Sequence, residues 1–305
     1  MSDTNSPQGQ QDWRAAFVQR HELPASYREH AQLWFDPLVA DIALHQSGAG
    51  RALLVGLNGC QGSGKTTLGA YLVEALAAQH GLRALAFSLD DFYQPRAERQ
   101  RLAAEMHPLL VTRGVPGTHD MPLLQATLRD LVEPARFPLK LVGFDKSSDD
   151  RLAPEAWVEV EQAPEVVILE GWCLGARPVV AEALTQPLND LERREDPTGE
   201  WRRYVNEALR DFLPVYEKID YWAMLAAPDF DCVLKWRGQQ EAALARRHPQ
   251  GAGLMEETQL ARFVQHFQRL TEQCLKDLPD SVTYLLRLDA ERNIVARQGA
   301  SGSTA

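Results

Sequence analysis

Residues 53–67 constrain this chain more than any other stretch: Leu53-Leu54-Val55-Gly56-Leu57-Asn58-Gly59-Cys60-Gln61-Gly62-Ser63-Gly64-Lys65-Thr66-Thr67. A short apolar run enters a glycine-rich loop that ends in Lys-Thr-Thr, and Gly59-x-x-x-x-Gly64-Lys65-Thr66 has the spacing of a phosphate-binding P-loop. Glycines let the backbone turn so that successive N–H groups point at a polyphosphate. The helix that follows adds its unpaired N–H groups and the positive end of its dipole. Residues 59–67 are therefore the expected nucleotide cradle. Lys65 carries a mobile charge for the outer phosphates, and the Thr66 hydroxyl is placed to ligate Mg²⁺. The context fits: residues 52–57 read as a buried parallel strand, and Leu68, Leu72, Ala75 and Gln79 recur at helical spacing, with Tyr71 and Leu76 widening the apolar face.

With 305 residues, 45% of them hydrophobic, the chain can build a sizeable core. A formal charge of -10 argues against a nucleic-acid backbone as the main partner, so basic patches must be local and suit small anionic ligands. Cys60, Cys173, Cys232 and Cys274 lie far apart without a CxxC pair, which fits reduced thiols in a cytoplasmic protein better than disulfides or a zinc site. Cys60, inside the P-loop, is a candidate for oxidation, although a small residue tolerated in a loop is the plainer reading. Residues 1–11 are polar with no apolar signal core, and no apolar run approaches the roughly 20 residues that span a bilayer.

Along the chain, residues 1–10 and 299–305 read as disordered ends, and residues 13–20 and 24–45 as two packing helices. Residues 1–50 form a helical extension and 51–298 the main domain. Further apolar strands are expected at 84–89, 165–169, 221–225 and 282–288, with helices at 122–132, 201–213 and 256–275 between them. This alternation predicts an α/β fold of the P-loop NTPase type. Its five-stranded, mostly parallel sheet carries helices on both faces and binds ligands at the carboxyl ends of its strands. The charge-dense residues 190–203 read as a solvated loop or helix face.

The second strand ends in Ser88-Leu89-Asp90-Asp91-Phe92-Tyr93, at the same sheet edge as the P-loop. Asp90 is the candidate proton acceptor for a hydroxyl that attacks a γ-phosphate, and Asp91 the structural partner. The third strand ends in Leu169-Glu170-Gly171; a carboxylate closing a buried strand beside a P-loop is costly unless it holds Mg²⁺. Arg113-Gly114-Val115-Pro116-Gly117-Thr118-His119-Asp120 and Phe144-Asp145-Lys146-Ser147-Ser148-Asp149-Asp150-Arg151 are polar clusters. Arg113, His119, Lys146 and Arg151 could surround a small anionic substrate, while Asp120 serves equally as a helix cap. Arg237, Arg246 and Arg247 follow Trp236 and suit a mobile lid helix, with Arg237 the candidate for the transferring phosphoryl group.

Together these motifs resemble the P-loop kinases that include uridine kinase, phosphoribulokinase and bacterial pantothenate kinase, and most closely the D-glycerate 3-kinase family. The resemblance runs in order over residues 50–290, through the P-loop, Ser88–Tyr93, Arg113–Asp120, Phe144-Asp145-Lys146-Ser147, Ile168-Leu169-Glu170-Gly171-Trp172, Trp236-Arg237 and Gln240-Glu241. It implies Mg²⁺- and ATP-dependent phosphorylation of a small hydroxylated molecule, such as the 3-hydroxyl of D-glycerate. It also implies a substrate set of Asp90, Tyr93, Arg113, His119, Asp145, Lys146 and Arg151. Two departures are visible: Val142-Gly143 stands where the family reads Pro-Arg, and the loop before Asp150-Arg151 is shortened to Ser148-Asp149. The alternatives are a kinase of a nucleoside, pantothenate or a sugar phosphate, and a non-kinase nucleotide-binding regulator. A switch GTPase would need an Asn-Lys-x-Asp guanine motif, which is absent; Asp196-Pro197-Thr198-Gly199 matches only the short DxxG pattern, away from any strand end.

Overall fold

A computed structural model describes residues 12–133, 137–247 and 256–299, the side chains of 240–247 and 257 excepted. The expected disordered ends lie almost wholly outside these residues, as do the side chains of Gln240, Glu241, Arg246 and Arg247.

Six strands form the central sheet: β1 (Leu53–Gly59), β2 (Ala84–Ser88), β3 (Val166–Gly171), β4 (Tyr221–Ala226), β5 (Tyr284–Leu288) and β6 (Ile294–Gln298). Their spatial order is β6-β5-β4-β1-β3-β2. All neighbours are parallel except β5 and β6. The five expected strands are present, and the count is corrected to six by β6. This edge strand buries only Ile294 fully, so it carries little apolar signal. It folds back through a turn in which Asp289 accepts the N–H groups of Glu291 and Asn293.

The central strands are buried on both faces, which is why they read as continuous apolar runs. Alternate residues separate into two cores. Leu54, Val167 and Leu169 face one, with α6 (Met121–Val132), α8 (Glu200–Ala208) and α11 (Glu257–Asp277). Leu53, Val55, Leu57, Val166 and Ile168 face the other, with α4 (Lys65–His80) and α10 (Asp231–Arg247). Each fully buried leucine contributes about 1.5–3 kcal/mol relative to leaving it in water.

The N-terminal helices complete the second core: α1 (Trp13–Arg20), α2 (Tyr27–Trp34) and α3 (Asp36–Ala49) bury Phe17, Ala31, Leu38, Val39 and Ile42 there. The helix expected over 24–45 is two helices. Pro37 has no N–H to donate and biases Asp36 away from continuing α2, so α3 starts afresh with proline in its first turn. Tyr71 of α4 donates to Asp36 at 2.6 Å and Tyr221 of β4 donates to Asp41 at 2.6 Å, tying α3 to the sheet and its helix.

Residues 190–203 meet the expectation in part: Asp190, Arg193, Arg194, Glu195, Glu200 and Arg203 are exposed, but three charges are not. Glu192, Asp196 and Arg202 are buried, because Arg269 pairs with Glu192 at 2.5 Å and Arg202 pairs with Asp196 at 2.9 Å. Asp196 further accepts the N–H of Trp201 at 2.9 Å. The charges are internal struts between α11, α8 and α7 (Asp190–Glu195).

Candidate active site

The site is built from the tips of β1, β3 and β2. Register sets Glu170 of β3 beside Leu57 of β1 on one side and Ser88 of β2 on the other. The P-loop leaves β1 at Gly59 and turns through Gly62 (φ 80°) and Gly64 (φ 94°), conformations that an L side chain rarely adopts. At Gly62 space forbids a side chain as well: a Cβ would lie 2.7 Å from Cβ of Trp236. The loop is thus pressed against α10, the helix that carries Arg237. Lys65 and Thr66 then open α4.

Thr66 Oγ1 donates to Glu170 Oε1 at 2.8 Å. Glu170 is 5% exposed, and its second oxygen, Oε2, is buried with no protein partner. Ser63 Oγ and Gln61 Oε1 in the loop are likewise buried and unpartnered. Unmet buried polar groups are expensive, and their concentration around a phosphate cradle fits a site completed by a ligand. The donor set, a threonine hydroxyl beside a spare carboxylate oxygen, has the hard oxygen chemistry that Mg²⁺ takes together with phosphate and water.

β2 ends in a 3₁₀ turn, Leu89–Phe92. Ser88 Oγ accepts the N–H of Asp90 at 3.2 Å, and Asp91 accepts the N–H of Ser88 at 3.1 Å. Asp91 is therefore part of the cap, and burial, with Asp90 nearby, pushes its carboxyl up to about 6. The cap aims Asp90 at the P-loop. Tyr93 Oη donates to Asp90 Oδ1 at 2.7 Å, and Lys146 Nζ to Oδ2 at 2.6 Å. Burial alone would raise this carboxyl; the charges of Lys146 and Lys65 and the two hydrogen bonds more than offset it and hold it far below the usual carboxylate range.

A cavity of about 190 Å³ opens in front of Asp90. Its polar side carries Lys65, Thr66 and Asp90, three cations, Arg113, Lys146 and Arg237, approach it, and Trp172, Phe263 and Phe267 make an apolar wall. Arg113 pairs with Asp149 and lies over the Phe144 ring at 5.6 Å. Trp172 is held by donation from Nε1 to the Gly114 carbonyl at 3.1 Å, and Phe267 packs edge-on against it at 5.0 Å. A second groove of about 570 Å³ runs along α4 and β2; Lys65, Thr66, Asp90 and Lys146 line both spaces.

The structure thus gathers Gln61, Gly62, Lys65, Thr66, Asp90, Tyr93, Arg113, Lys146 and Arg237 at one cavity, with Glu170 bonded to Thr66. Three expected substrate residues lie elsewhere. His119 is 3% exposed behind Tyr93, ring centroids 4.8 Å apart, with neither nitrogen hydrogen-bonded in the protein. Burial lowers its pKa to about 4, so it is no cation at neutral pH. Arg151 pairs with Asp120 at 3.0 Å and donates to the Tyr93 carbonyl at 3.1 Å. Asp145 accepts the N–H and hydroxyl of Ser147, closing an exposed turn. Asp120 caps α6 by accepting the N–H of Leu123. Cys60 is buried, and burial pushes its thiol up to about 12, which disfavours the reactive thiolate considered for it.

Phe263 and Phe267 were not legible as site residues. Spaced i, i+4 on an amphipathic helix, they look like any core stripe. Trp172 was visible only as part of a motif.

A P-loop, a paired threonine and glutamate, and an ionised aspartate facing a small cation-rimmed cavity define a P-loop kinase acting on the hydroxyl of a small molecule. No family model matches the chain. An uncharacterised kinase of Schizosaccharomyces pombe, mug58, is 33% identical over 225 residues, 72% of this chain and 79% of that one. The chloroplastic D-glycerate 3-kinase of Arabidopsis thaliana is 32% identical over 215 residues, 67% of this chain but 44% of the plant protein, so less than half of that relative is matched. Among solved structures, a D-glycerate 3-kinase from Cryptococcus neoformans superposes with a TM-score of 0.72 at 26% identity, covering 87% of this chain and 98% of the other. The chain belongs to the D-glycerate 3-kinase family of ATP-dependent P-loop kinases. Among the described residues no helix is long and apolar enough to cross a membrane.

Proposed function

We propose that this protein transfers the γ-phosphoryl group of ATP, with Mg²⁺, to the 3-hydroxyl of D-glycerate. The observation that carries this reading is the doubly hydrogen-bonded Asp90 carboxylate facing a 190 Å³ cavity beside Lys65 and approached by Arg113, Lys146 and Arg237. The cavity is smaller than the roughly 300–1,000 Å³ of drug-sized sites, which favours a substrate of a few carbons over a nucleoside. Its cations favour an anionic one. The names of the plant and Cryptococcus relatives point the same way.

ATP lies with its phosphates in the loop 59–67, and Lys65 offsets charge on the outer phosphates. Thr66 and Glu170 would hold the metal, which when bound neutralises charge on the phosphates. The substrate hydroxyl donates to Asp90, which stays ionised at all physiological pH and so orients an oxygen lone pair toward the γ-phosphorus. As the new O–P bond forms, the bridging bond to the β-phosphate breaks and its electron pair leaves with ADP. The hydroxyl proton passes to Asp90 late, which suits a weak base and a loose transition state. Arg237, on the lid-position helix, is assigned to the equatorial oxygens.

This reading takes 51–298 as the catalytic unit and 1–50 as its helical extension. A cytoplasmic setting is supported by four buried free cysteines.

The test is an ADP-release screen over D-glycerate, uridine, pantothenate and ribulose 5-phosphate, with NMR assignment of the phosphorylated carbon. D-Glycerate should respond most strongly, at carbon 3. A strong response to uridine or pantothenate with none to D-glycerate would overturn the substrate.

A further inference from the structure

We propose that Lys146 is a lock on Asp90, and that an anionic substrate opens it by exchanging ion pairs. The inference rests on the phosphoryl-transfer reading of the same site. In the structure Lys146 Nζ occupies Asp90 Oδ2 at 2.6 Å, and Tyr93 occupies Oδ1. Both oxygens are engaged, so neither is offered without competition to an incoming hydroxyl or to water. The partners differ in freedom. Tyr93 is buried, 4% exposed, whereas the Lys146 side chain is 60% exposed on a turn and can swing.

The second cation is arranged alike. Arg113 pairs with Asp149 and donates from Nη2 to the Lys146 carbonyl at 3.4 Å, so it braces the turn that carries the lock. Asp149 has another partner: the buried Arg99, 1% exposed, contacts it at 3.0 Å. Both cations can therefore turn to a substrate carboxylate without stranding a partly buried charge. Asp149 keeps Arg99, and Asp90 keeps Tyr93 with Lys65 nearby. A lone buried carboxylate would cost far more than either swing.

The exchange gives the site its selectivity. A substrate with a carboxylate draws Lys146 away and presents its hydroxyl to the oxygen just vacated. Water and uncharged polyols leave the lock closed, which suppresses loss of the γ-phosphoryl group to water. Lys146 acts as a gate and a positioning residue for Asp90.

The experiment compares wild type with Lys146→Met and Lys146→Arg. Acceptor-free ATP hydrolysis is measured first, then kcat and KM for D-glycerate and for its uncharged amide. Far-UV circular dichroism and affinity for a non-hydrolysable ATP analogue control for folding. With the lock in place, the amide should lose kcat as well as affinity, by at least about tenfold, because freeing the base is part of the barrier. In Lys146→Met, acceptor-free hydrolysis should rise about tenfold and the kcat gap between acid and amide should close, while KM for D-glycerate rises. Lys146→Arg should restore low hydrolysis. Hydrolysis in folded, ATP-binding Lys146→Met no faster than wild type would overturn the lock, as would a wild-type amide that differs from the acid in KM alone. The hydrolysis arm needs no acceptor: if D-glycerate is not turned over yet hydrolysis rises in Lys146→Met, the lock stands and only the substrate assignment falls.

Discussion

Thr66 and Glu170 stand 104 positions apart in the chain, yet the threonine hydroxyl donates to the glutamate at 2.8 Å while Glu170 Oε2 remains buried without a protein partner. Parallel pairing of β1 with β3 creates this contact. If the spare oxygen awaits a cation, Glu170→Gln should raise the Mg²⁺ concentration for half-maximal activity by about 10–100-fold, the range for altering the surroundings of a metal site. A Mg²⁺ titration at saturating ATP reads this directly. An unchanged midpoint would assign Glu170 to Thr66 alone.

Asp90→Asn keeps the shape of the side chain and removes the charge. The expected loss is about 10²–10⁴ in kcat with affinity for an ATP analogue nearly unchanged. Single-turnover kinetics with a parallel analogue titration separate the two quantities. Turnover within a few-fold of wild type would exclude Asp90 as the group that takes the proton.

Gly62→Ala faces both a left-handed backbone and a Cβ 2.7 Å from Trp236. Strain of this kind costs about 1–3 kcal/mol, and it is relieved by moving the loop or α10. A lower melting temperature with weakened ATP-analogue binding is expected, read by calorimetry and by Trp236 fluorescence. Full stability and affinity would show that the loop does not bear on the helix.

His119 and His266 are buried, and burial lowers each pKa to about 4. The unfolded chain takes up their protons near pH 6.5 and the folded chain only near 4. Their contribution to stability is therefore complete above pH 6.5 and is lost as pH falls through this window, by up to about 1.4 kcal/mol per pH unit for each. Asp91, pushed up to about 6, has the opposite sign and offsets one histidine below pH 6. Urea midpoints between pH 6 and 4 should therefore follow the slope of about one histidine, and His119→Phe should shallow it further. The same variant should keep kcat/KM within about threefold, because the ring packs between Tyr93 and Phe212 outside the cavity. A large activity loss with an unchanged slope would return His119 to the substrate.

Local sequence carried the P-loop, the two carboxylates and the apolar strands, because each rests on the chemistry or burial of adjacent residues. Gly59 to Thr66 have the spacing to turn and bind phosphate whatever surrounds them, and β1 and β3 read as buried because, Asn58 and Glu170 apart, they hold only aliphatic residues and glycine. The sequence of residues 113–151 showed which polar groups were available, but not which would be consumed. Arg151 went to Asp120, His119 went under Tyr93 and Arg113 stayed at the cavity. Packing partners made that choice, and they come from other elements. For the same reason Phe263 and Phe267 became a wall of the cavity and Glu192 of α7 an internal strut: α11 is amphipathic by itself, but only its docking against Trp172 and α7 decides which of its residues line the cavity and that Arg269 pairs with Glu192. Composition and spacing thus determined the chemistry this chain carries, and the fold decided which of those groups the substrate can reach, because burial and ion pairing depend on neighbours far away in sequence.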